Sequence, residues 1–75
     1  MAEAPELATA AGDHDPGVGL AAVASLRRLL EQLEALQVDN ARARGWSWER
    51  IACELGVTRQ TVHKKHAVRR LRLRR

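Results

Sequence analysis

Leu26, Leu29, Leu33 and Leu36 stand three, four and three residues apart. That spacing puts all four on one stripe of a helix and on both faces of any strand. Leu30 widens the stripe, and Arg27, Arg28, Glu31, Gln32, Glu34 and Gln37 fill the opposite face. The spacing predicts a long amphipathic helix from Leu20 to Arg44, stopped by Gly45. Asn40 and Ala43 continue the same register, so the stripe reads as a coiled-coil seam with one Asn in it.

The rest of the chain is poor in material for a core. Its 75 residues hold ten Leu, six Val, two Trp, one Ile, one Met, and no Phe or Tyr. So thin a core must be helical or shared with a partner. It leaves no room for the water-excluding pocket of an enzyme, and β-branched and aromatic residues are too scarce for a β sandwich. Enzyme activity is not expected. Neither is a cofactor.

Charge is distributed unevenly. Residues 1 to 20 carry −4, residues 21 to 55 balance, and residues 56 to 75 carry +8 with no acid, which returns the net +4. A C-terminal third of that charge calls for a polyanion. Arg outnumbers Lys 11 to 2, a ratio that fits phosphate and guanine recognition and also, with 13 Ala, GC-rich coding. The basic end has no apolar face opposite its arginines, so a membrane surface is a poor partner. No apolar run reaches the length of a membrane span. The acidic start is unlike a signal peptide, and the lone Cys53 forbids an internal disulfide. A cytoplasmic, nucleoid-associated protein is expected.

Residues 1 to 19, with both prolines and few large hydrophobes, read as a disordered acidic tail ending in a turn at Asp15-Pro16-Gly17. Residues 20 to 68 read as the folded domain and residues 69 to 75 as a basic tail. Within the domain, Ser47 can cap a second helix whose Trp48, Ile51, Ala52 and Leu55 share one face. Gly56 ends it, Val57 is expected to plug the core, and Thr58 can cap a third helix.

Residues 48 to 67 fit a helix-turn-helix template. Ala52 is the small residue that lets the second helix approach, and Gly56 four positions later can take positive φ. Ile51, Leu55, Val57 and Val62 supply the apolar positions. The fold expected is all-α: three helices in a helix-turn-helix, with a long leucine-rich first helix and disordered tails.

The stretch from Gly45 to His63, which opens Gly45-Trp46-Ser47-Trp48, resembles the helix-turn-helix of sigma factors that reads the promoter −35 element. It is similar also to small actinobacterial helix-turn-helix proteins with a Gly-Trp-Ser-Trp segment. The resemblance covers about residues 26 to 68. Lys65 departs from it, standing where the family has an apolar residue. Either the Lys65 stem lies along the core edge, or His66 or Ala67 closes the core.

Site residues follow from placement. Arg59, Gln60, His63 and Lys64 lie on the first turns of the third helix, the part that enters a major groove. Gln pairs with adenine and Arg with guanine. Thr58 at the helix start suits a phosphate oxygen. Lys65, Arg69, Arg70, Arg72, Arg74 and Arg75 are expected on backbone phosphate. His63 and His66 are expected to face solvent, and no ligand cluster supports a metal. Trp46 and Trp48 are expected to pack at the helix entry, and Cys53 to be small and packed or half-exposed.

These features predict sequence-specific binding of double-stranded DNA and transcriptional regulation. The rival is a small adaptor that engages RNA polymerase, a sigma factor or another regulator. Leu26, Leu29, Leu30 and Leu33 are expected to pair two chains in a homodimer, unless Val68, Leu71 and Leu73 cover them.

Overall fold

A computed structural model describes residues 3–73 of the chain, with side chains through residue 69. Among these residues there are four helices and no strand: α1 (Glu3–Ala11), α2 (Pro16–Ala43), α3 (Trp48–Leu55) and α4 (Arg59–Leu73). The chain forms two compact units, residues 1–34 and 35–75.

In the first unit, a helix stands where a structureless tail was expected. Glu3 and Glu6 occupy the first turn of α1, where carboxylates complement the helix dipole. Pro5 is tolerated there because an N–H so near the helix start has no intrahelical partner to lose. The Ala-rich remainder favours helix while contributing little to a core. No residue of α1 is buried.

Asp15-Pro16-Gly17 does not make the expected turn. It begins α2, four residues before the expected start. The Asp15 carboxylate accepts the Gly17 N–H at 2.8 Å, and Asp15 O accepts the Gly19 N–H at 2.9 Å. Asp15 is therefore the cap and Pro16 the first helical residue, the position whose N–H is dispensable. Along this half of α2, Ala22 is buried, Leu26, Leu29 and Leu33 are half-buried, and Val23 and Leu30 are exposed. Val23, Leu26, Arg27, Leu30, Glu31 and Glu34 line one shallow groove.

The second unit is built around Val38, Ile51, Ala52 and Val62, all buried, with Ala41, Trp46 and Trp48 packed against them. The same local device ends both α2 and α3. Gly45 N–H donates to Arg42 O at 3.0 Å and Trp46 N–H to Ala41 O at 3.0 Å; Gly56 N–H donates to Cys53 O at 3.2 Å and Val57 N–H to Ala52 O at 3.1 Å. Each glycine sits in the left-handed region, at φ 84° and 73°. These are Schellman caps, and they satisfy carbonyls that the helix ends leave open. Ser47 and Thr58 start the next helices: their hydroxyl oxygens accept the N–H of Arg50 at 3.1 Å and of Thr61 at 3.2 Å.

Two apolar side chains are not where the sequence pattern put them: Leu55 and Val57 are exposed, at 40% and 45%, while Leu36, on the leucine stripe, is exposed at 61%. Val57 is held by its backbone N–H, and its side chain is no core plug. His66, expected to face solvent, is instead buried at the end of the core, the alternative left open by Lys65. It is 2% exposed, while Lys65 beside it is exposed. α4 continues to Leu73 through the segment expected as a basic tail.

Candidate nucleic-acid interface

α4 has one inward face and one outward face. Val62 and His66 are buried, and Arg69 is half-buried on the same side. Gln60, Lys64 and Val68 are spaced four apart on the other side, and all are exposed. Thr58 and Thr61 share a hydroxyl hydrogen bond of 2.8 Å at the helix start, so the Thr58 oxygen is already engaged in capping.

Arg59 and His63 lie on the flank that faces α3. Arg59 Nε is 3.2 Å from Glu49 Oε1. One turn later, His63 meets Trp48 edge to face, with ring centroids 5.2 Å apart and planes at 84°. Two consecutive residues of α3 therefore hold two residues of α4 that are one turn apart. Trp48 also carries the Arg42 guanidinium, 4.7 Å from the ring centroid. Arg42 Nη1 also donates to Trp46 O at 2.8 Å, and Arg50 lies 3.5 Å over the Trp46 ring. Both indoles are thus stacked by cations and packed on the core, as helix-entry residues rather than an open platform for bases.

Arg69 is turned away from the outer face. Its Nη2 and Nη1 donate to the two Asp39 oxygens at 2.6 and 3.1 Å. Asp39 holds the Arg69 guanidinium in its charged form: the hydrogen bond raises its pKa above the usual arginine value, burial opposes this, and the carboxylate's charge adds to it. Arg69 ties α4 to α2 in this arrangement and does not reach outward as a phosphate contact. Lys65 is exposed. The side chains of Arg70, Arg72, Arg74 and Arg75 lie outside the described residues.

Three positions of the site escaped the sequence pattern: Glu49, Asp39 and Arg42. An acid in the first turn of α3 is ordinary helix chemistry and gave no sign of its partner. Asp39 meets a residue thirty positions away. Cys53 is exposed. Among the described residues no group of three or more His, Cys, Asp or Glu could hold a metal ion, and no helix is long and apolar enough to cross a membrane.

The chain matches no family model, no curated protein and no solved structure.

Proposed function

We propose that this chain binds double-stranded DNA sequence-specifically and regulates transcription, with α3 and α4 as a helix-turn-helix and α4 as the recognition helix. One observation carries the reading. Gln60 and Lys64 stand exposed on α4 while Val62 and His66 bury its opposite face, in a segment with eight bases and no acid. A helix so oriented can lay Gln60 against base edges and its basic residues against phosphates. The likeness of Gly45 to His63 to the promoter-reading helix-turn-helix of sigma factors points the same way.

The leucine seam of α2 supports a homodimer. In the second unit Leu36, Asn40 and Ala43 continue that seam and are exposed, while Val38 and Ala41 on another face of the helix serve the core. A pair of chains would use the seam and read two half-sites about 34 Å, or a multiple of it, apart.

Fluorescence anisotropy with labelled duplex tests the reading. With about six of the eight bases after residue 56 set against phosphate, about six counterions are displaced. The log affinity should fall with log salt at a slope of about −5. No binding at 50 mM salt overturns the DNA reading and favours an adaptor for RNA polymerase or another regulator.

A further inference from the structure

We infer that Glu49 is a specificity-determining residue: it occupies Arg59 in the free protein and so withholds that charge from DNA of arbitrary sequence. The inference rests on the DNA-binding reading. Its geometry is independent of the outer face of α4. Trp48 against His63 fixes the register of α3 on α4, and that register brings the next residue, Glu49, to 3.2 Å from Arg59. Both side chains are well exposed, at 74% and 51%, so the pair opens readily and acts as a competitor rather than a lock.

The consequence follows from what a duplex offers. A phosphate that takes Arg59 only exchanges one anion for another, and it leaves the Glu49 carboxylate facing the phosphate backbone. The net gain from counterion release at that position is then close to nil. A guanine edge offers two acceptors, O6 and N7, in a fixed geometry that the guanidinium fork matches. Glu49 therefore subtracts a charge from sequence-independent binding and leaves the base-specific contact to decide whether Arg59 is released.

Four proteins and one probe test this: the wild type, Glu49→Gln, Arg59→Ala and the double variant, each titrated against a 20-base-pair duplex of random sequence at several salt concentrations. Both positions are solvent-exposed, so the fold should survive, and thermal melting checks it. Glu49→Gln should tighten random-duplex binding about eight-fold at 0.1 M salt and steepen the salt slope by about 0.9, the weight of one phosphate contact. In the Arg59→Ala background the same change should do nothing. A pair that matters only for stability moves the melting temperature and leaves the slope alone. A wild type that binds and a Glu49→Gln variant that binds alike overturn the assignment of Glu49 while the DNA reading stands. An equal tightening with and without Arg59 overturns it too, since removal of any negative charge then accounts for the effect. A wild type that binds no duplex overturns the DNA reading and this inference with it.

Discussion

Asp39 receives both terminal nitrogens of Arg69, at 2.6 and 3.1 Å. An Arg expected to grip phosphate is thereby spent on joining α4 to α2. The two side chains are 36% and 30% exposed, so water screens the pair in part. Asp39→Ala should lower stability by about 1 kcal/mol, the value of a partly screened charge-assisted bond, read as a fall in melting temperature. The raised pKa of Arg69 gives the sign of the pH dependence. While Asp39 is ionised, the contribution is full below the ordinary arginine value and is lost as pH rises through the raised one. The penalty should therefore be the same at about pH 6 and about pH 9.

Gln60 and the C-terminal arginines should fail in different ways. Gln60→Ala should narrow the gap between the best duplex and random duplex by about 1–3 kcal/mol. Arg74→Ala should weaken every sequence alike and reduce the salt slope by about 0.9. Anisotropy competition with the two kinds of duplex separates these effects. Equal losses on both duplexes for Gln60→Ala would remove it from the base-reading set.

Leu36 offers a cleaner test of the dimer than Leu29. At 61% exposure it contributes little to the fold of a single chain, so Leu36→Glu should change monomer stability by no more than about 0.5 kcal/mol. In a paired seam the same change buries a carboxylate without a partner and should dissociate the dimer. Sedimentation at micromolar concentration should give twice the 8.3 kDa chain mass for the wild type and the chain mass for Leu36→Glu. A wild type at 8.3 kDa at every concentration up to about 100 µM, roughly −5.5 kcal/mol of affinity, overturns the dimer.

Gly56→Ala isolates a backbone cost. A Cβ at this position would meet nothing within 4 Å, so no clash contributes. The residue nonetheless sits at φ 73°, and an alanine there should cost about 1 kcal/mol. Thermal melting should show that loss. An unchanged melting temperature would mean that the turn between α3 and α4 relaxes away from the left-handed cap.

How much of this protein its residues announce depends on how far each signal reaches. Ser47, Thr58, Gly45 and Gly56 set helix ends through bonds to residues at most five positions away, and the sequence alone placed them. The buried Ile51, Ala52 and Val62 were legible for the same reason, because helical spacing puts them on one face. Local chemistry also misled. Asp-Pro-Gly serves a turn and a capped helix start equally well, and an Ala-rich acidic segment resembles a tail until its helix is seen. Tertiary structure decided what no spacing encodes: which neighbour each face meets. It buried His66 and left Lys65 outside, exposed Leu36, Leu55 and Val57, and turned Arg69 inward to Asp39. It also set Glu49 against Arg59. Those outcomes depend on the packing of α2, α3 and α4 in the second unit, where partners up to thirty residues apart meet.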